Sequence, residues 1–205
     1  MKKFNDVWVL IAGIMLFLIS YKSDEHVNLL FKNLRFMPLD IVFGIITNFG
    51  VVVLLMLIVP IIVLYTRENQ RFSVPRNFYK ISREKNKKPA YLLLLSFIIS
   101  VILSFIIKLI VLRQRPNELL TYPFFNIIDY SFPSMHAAVV FSLLPILTKY
   151  LSKQKLFWIA FSFLVAFTRI YFGFHFLSDV VFGGFFGYFV GSYLLGLYEK
   201  GKLWK

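Results

Sequence analysis

The polar positions of this chain fall in short intervals between long apolar runs. Six runs approach the length that a bilayer core demands of a helix, about 20 residues. They are Val7 to Tyr21, Phe49 to Tyr65, Ala90 to Leu112, His136 to Leu151, Phe157 to Phe172 and Val180 to Tyr198. The pattern predicts an all-α polytopic membrane protein, six transmembrane helices in one bundle. No repeat, low-complexity stretch or linker divides the chain, so residues 1–205 read as a single membrane-embedded domain. Between the first two runs, SDEHVNLLFKNLRFMPLD spaces Val27, Leu29, Leu30, Phe31, Leu34 and Phe36 as a short helix lying in the outer interface would. The first run is not followed by small residues of a cleavage site, so it reads as a span rather than a removed signal peptide.

Composition sharpens this picture. The residues are 59% hydrophobic and 16% charged, with mean hydropathy +0.72, far from the balance of a soluble domain. No cysteine is present, so neither disulfides nor thiolate metal sites contribute. The net charge of +13 does not point to nucleic acid, because the basic residues occupy connectors rather than a face interleaved with stacking aromatics. Arg67 to Lys88 holds eight Lys or Arg against two Glu and shows no apolar periodicity; it is expected to be a cytoplasmic loop. With that loop inside, both termini and the Lys149 to Lys155 connector are inside too, placing 16 of the 23 Lys and Arg in the cytoplasm of a cell (inner) membrane protein.

Of the seven basic residues left outside, Lys22, Lys32 and Arg35 belong to the first outer segment, and Lys108, Arg113, Arg115 and Arg169 lie elsewhere. Three polar segments are expected to reach that same face: KLIVLRQRP from Lys108, FPSMHAA from Phe132, and TRIYFGFHFLSD from Thr168. On a helix, Lys108 and Arg115 are two turns apart and share a face. His175 and Asp179 are four apart, so on one helix the carboxylate could hold a ring nitrogen and fix the tautomer. Ser134 is placed to N-cap the fourth run, whose free N–H groups suit an anion. Each element has an ordinary reading alone: Lys108 and Arg115 as snorkelling span ends, His136 as a satisfied bundle histidine, Arg169 with Asp179 as an ion pair. A lone His-x3-Asp supplies too few ligands for a metal. Together the groups describe a site for a phosphate-like anion, and phosphoryl transfer as its chemistry.

The order K-x6-RP, PS-x-H, R-x5-H-x3-D resembles the three-part signature of the type 2 phosphatidic acid phosphatase superfamily, membrane lipid phosphatases related to acid phosphatases and vanadium haloperoxidases. It stands here as Lys108, Arg115 and Pro116; Pro133, Ser134, Met135 and His136; and Arg169, His175 and Asp179. Met135 replaces the family's usual Gly, and Thr168 its usual Ser, keeping the hydroxyl. The resemblance implies that His175 is the nucleophile, oriented by Asp179, and that His136 is the general acid. It implies further that Lys108, Arg115, Arg169, Ser134 and the Met135 amide hold the phosphoryl oxygens, with no metal and no cofactor.

The implied partner is a phosphorylated lipid among membrane lipids, with no nucleic acid and no obligate protein partner. The resemblance implies a substrate among phosphatidic acid, phosphatidylglycerol phosphate, undecaprenyl pyrophosphate and lipid A 1-phosphate, and the small size and compact loops favour the last three as an envelope enzyme's. The choice among them is expected to come from the segment around Lys32 and Arg35, the Glu118 to Asp129 loop and the gaps between spans. The same residues would serve a lipid phosphotransferase, or a protein that binds or transports phosphate lipids without turnover. Gly173 is expected to let the chain turn ahead of His175.

Overall fold

The computed structural model describes residues 2–66, 76–116 and 130–203, and among these it is all helical. Eight α-helices follow in order: α1 (Lys2–Asn33), α2 (Met37–Thr47), α3 (Phe49–Val53), α4 (Val59–Thr66), α5 (Arg76–Val111), α6 (Met135–Tyr150), α7 (Lys155–Tyr171) and α8 (Leu177–Glu199). A π-helical turn at Leu54–Ile58 joins α3 to α4 in one rod. Three stretches are long and apolar enough to cross a membrane: Phe49–Thr66, Lys88–Val111 and Leu177–Glu199. The six expected spans are not confirmed by this measure, which finds three among the described residues. α6 and α7 have only 16 and 17 residues, and α1 carries charges through its second half.

Two further expectations give way. Residues 67–75 of the basic loop lie outside the described residues, but from Arg76 the chain is already helical and continues unbroken into the apolar stretch. The charges carry no apolar stripe to announce a helix, yet helix propagates readily once a long span has nucleated it. The separate interfacial helix is also absent. Nothing between Tyr21 and Asn33 breaks a helix, so α1 runs through it and ends at Asn33; a second helix opens after Phe36 with Pro38 in its first turn.

α5 shows how the bundle is held. Ser96, Ser100, Ser104 and Lys108 recur every four residues and are buried, whereas Ile98, Ile102 and Ile110 are exposed, Ile110 by 73%. This is the reverse of a soluble helix and marks a membrane-embedded one, with small and polar residues facing neighbours and large apolar ones facing lipid. Ser96 Oγ donates to the Ser142 carbonyl of α6 at 3.0 Å.

α6 is the central helix, buried without interruption from Ala137 to Leu147 except at Phe141. Against it lies α8, whose Gly183, Gly187 and Gly191 form a stripe at helical spacing. A Cβ at Gly187 would stand 2.0 Å from the Ala138 carbonyl oxygen, and one at Gly191 1.9 Å from that of Ser142. Backbone therefore meets backbone, and the constant offset of these pairs makes α6 and α8 parallel. Their N-termini are side by side, and the second and third motifs sit there.

Candidate active site

α5 ends at Val111, where Leu112 adopts a left-handed φ of 53° and turns the chain. Arg115 is therefore not on the helix with Lys108, as the seven-residue spacing suggested; it follows in a non-helical segment and donates from Nη1 to the Phe174 carbonyl at 2.9 Å. Lys108, buried at the end of α5, donates from Nζ to the carbonyls of Tyr130 at 2.5 Å and Ser131 at 3.3 Å.

Ser134 occupies the N-cap position of α6, but its side chain makes no capping bond. Its Oγ and the Nε2 of His136 are both buried without a hydrogen-bond partner among the described residues. Buried polar atoms are normally satisfied, so these two are placed to meet a ligand. The Ser134 N–H donates to the Asp179 carbonyl at 3.1 Å, tying the second motif to the third. Met135 begins α6 and its side chain packs on the main apolar cluster.

The third motif leaves α7 through a tight turn. Gly173 has φ 66°, a conformation that costs a residue with a Cβ about 1 kcal/mol, and the amides of Phe174 and His175 both donate to the Arg169 carbonyl. Gly173 does turn the chain ahead of His175. Arg169 is buried; its Nη1 donates to Thr47 Oγ1 at 2.6 Å, and its guanidinium lies 4.2 Å from the Phe174 ring centre.

His175 lies outside α8, which starts at Leu177, so the expected helical pairing with Asp179 does not form. The two approach only to 3.8 Å. Nδ1 of His175 instead donates to the Ser131 carbonyl at 2.7 Å. A carbonyl can only accept, so in the neutral ring the proton sits on Nδ1 and the lone pair on Nε2. Burial first, then the charges of Lys108, Arg169 and Arg115, hold this imidazole well below its usual value of 6.5, against the opposing pull of the Ser131 carbonyl. The ring is a neutral base with its free nitrogen away from Ser131.

Asp179 is fully buried and accepts from Arg113 Nη1 at 2.6 Å, from the Phe176 N–H at 2.9 Å and from Ser131 Oγ. Its ion-pair partner is thus Arg113. Arg113 also reaches Asp24 of α1 at 2.7 Å. Sequence reasoning counted Arg113 among the outer cations without giving it a place in the site, and missed Asp24 and Ser131 altogether. The available signal was the first arginine in LRQRP, outside the motif, and an acid just past the first apolar run; nothing in the pattern marked Ser131. The Glu118 to Asp129 loop lies outside the described residues.

The structure thus gathers Lys108, Arg115, Ser134, Met135, His136, Arg169, His175 and Asp179 at one end of the bundle. Cations stand near a histidine whose Nε2 carries a lone pair, and two buried polar atoms at the head of α6 have no partner among the described residues, which suits displacement at phosphorus. A model described as the PAP2 superfamily matches residues 89–202, from the start of the apolar part of α5 to beyond α8. In fold the chain is similar to the crystal structure of a transmembrane PAP2-type phosphatidylglycerolphosphate phosphatase from Bacillus subtilis, with TM-score 0.66 and 22% identity over 97% of this chain and 98% of that one.

Proposed function

The chain belongs to the PAP2 superfamily, and from that membership we propose that it is a membrane lipid phosphatase removing a terminal phosphate, as monoester or pyrophosphate, from an envelope lipid. The observation that carries the reading is the His175 tautomer: a buried neutral imidazole with its Nδ1 proton held by the Ser131 carbonyl.

In this mechanism Nε2 of His175 attacks phosphorus and the bond to the leaving oxygen breaks, giving a phosphohistidine. His136 donates the proton that the leaving oxygen takes up, then accepts one from the water that cleaves the phosphorus–nitrogen bond. Ser131 and Asp179 hold the ring and balance the positive charge it acquires. Lys108, Arg115, Arg169, Ser134 Oγ and the Met135 N–H stabilise the equatorial oxygens. No step calls for a metal.

The charge asymmetry of the connectors supports a site on the extracytoplasmic side of the cell membrane with both termini cytoplasmic. The fold relative is named for phosphatidylglycerolphosphate, and that lipid heads a panel with undecaprenyl pyrophosphate and lipid A 1-phosphate. The test is release of inorganic phosphate from each by the detergent-purified protein with EDTA present. His175→Ala is expected to abolish release while leaving the protein folded. Full release by that variant would sink the mechanism, and release abolished by EDTA would sink its independence of metal.

A further inference from the structure

We infer that Asp24 and Arg113 are positioning residues for the nucleophile, acting through Asp179 and Ser131; this rests on the phosphatase reading above. The contacts form one unbroken chain. Asp24, almost completely buried, accepts from Arg113 Nη2 at 2.7 Å, from Ser178 Oγ at 2.6 Å and from the Ser178 N–H at 2.9 Å. Arg113 Nη1 donates to Asp179 at 2.6 Å and to Ser178 Oγ at 2.7 Å. Asp179 accepts from Ser131 Oγ, and the Ser131 carbonyl holds His175 Nδ1.

Two features separate this chain from an ordinary structural ion pair. First, it ends on the atom whose proton decides where the ring's lone pair lies. Second, Arg113 brackets Ser131 from both sides: its side chain anchors the carboxylate that grips the Ser131 hydroxyl, and its own carbonyl takes the Ser131 N–H at 2.6 Å. The Ser131 carbonyl thus has its direction set by Arg113 and Asp179 together. Asp24 in turn fixes the Arg113 fork and caps the first turn of α8 through Ser178. The place of Arg113 between two carboxylates suits a planar, two-armed cation; lysine supplies the charge but a single point of contact. Phe176 and Tyr21 complete the cradle, with the guanidinium 4.1 Å and 5.4 Å from their ring centres.

The experiment compares the parent, Arg113→Lys, Arg113→Gln, Asp24→Asn and the double variant Arg113→Gln/Asp24→Asn, with His175→Ala as the inactive reference. The substrate is the lipid that the parent turns over, and the unfolding temperature in detergent corrects each rate for folded protein. Arg113→Gln is expected to lower kcat about 100-fold, the scale of a 1 Å misplacement of a reacting group, with KM within about twofold of the parent. Arg113→Lys should fall between Gln and Arg. The double variant should be no slower than Arg113→Gln alone, because the chain is already open. A purely structural tie predicts unchanged kcat per folded molecule and additive losses, and that result overturns the proposal; so does a rise in KM that accounts for the loss. Should Arg113→Gln yield no folded protein, Arg113→Lys and Asp24→Asn decide by the same split of kcat from KM. A parent that releases no phosphate from any lipid refutes the phosphatase reading itself, a result distinct from unchanged kcat in the variants.

Discussion

Gly187→Ala should cripple this protein although the residue lies two turns along α8 from Asp179. A new Cβ there would stand 2.0 Å from the Ala138 carbonyl oxygen, whereas carbon and oxygen rest at about 3.3 Å. One helix must therefore yield by about 1.3 Å, and the obstacle is backbone, which cannot rotate away. Alanine's helix propensity favours the change by about 1 kcal/mol. Overpacking costs about 1–3 kcal/mol even where side chains can adjust, so the clash wins. The shift separates the heads of α6 and α8, which carry Ser134 and His136 on one side and Asp179 on the other. A displacement of this size costs turnover about 100-fold. The assay is phosphate release per folded molecule, with the unfolding midpoint in detergent, for Ala at positions 187, 184 and 196. Gly184 leaves ordinary contact at 3.4 Å to Phe141, and Gly196 has nothing within 4 Å. Both variants are expected to keep activity, and Gly196→Ala to gain slightly in stability. Parent-like rate and midpoint in Gly187→Ala, or equal damage at Gly196, would refute the reasoning.

The remaining predictions follow from single contacts. Because the folded protein keeps His175 neutral below the usual histidine value of 6.5, acidification protonates it only at lower pH, so the acid limb of kcat/KM should lie below pH 6.5; a half-loss at that pH, measured between pH 5 and 8, would count against the buried nucleophile. Tyr171→Phe removes a donor to Asp40 at 2.8 Å and an acceptor of the Phe36 N–H at 3.1 Å; it should lower the unfolding midpoint modestly, with KM and kcat little changed.

The sequence announced the apolar runs, the motifs and their convergence, because burial in lipid demands long uniform stretches and makes any charge within them conspicuous. What it concealed was three-dimensional direction. The seven-residue spacing of Lys108 and Arg115 looked like a shared helix face, yet Leu112 takes a left-handed turn that ordinary leucine does not favour and no pattern foretells. His175 and Asp179 looked like a helical pair, but the helix begins after the histidine, and the Ser131 carbonyl takes the ring nitrogen. A backbone atom leaves no mark in composition. The serines of α5 and glycines of α8 recur every four residues and were readable, but their use depends on which helices meet.

Asp24 has a consequence for how the protein is made. Its partners lie 89 and 154 residues further along the chain, in Arg113 and Ser178. While the ribosome is still extending the later helices, α1 therefore carries an acid just past an apolar run with neither its cation nor its helix terminus yet in existence. The first helix and the last are completed by one another, so a chain cut short before Leu177 would lose more than Asp179. It would leave the Asp24 carboxylate to Arg113 alone, without the Ser178 N–H and hydroxyl that share its charge in the finished bundle.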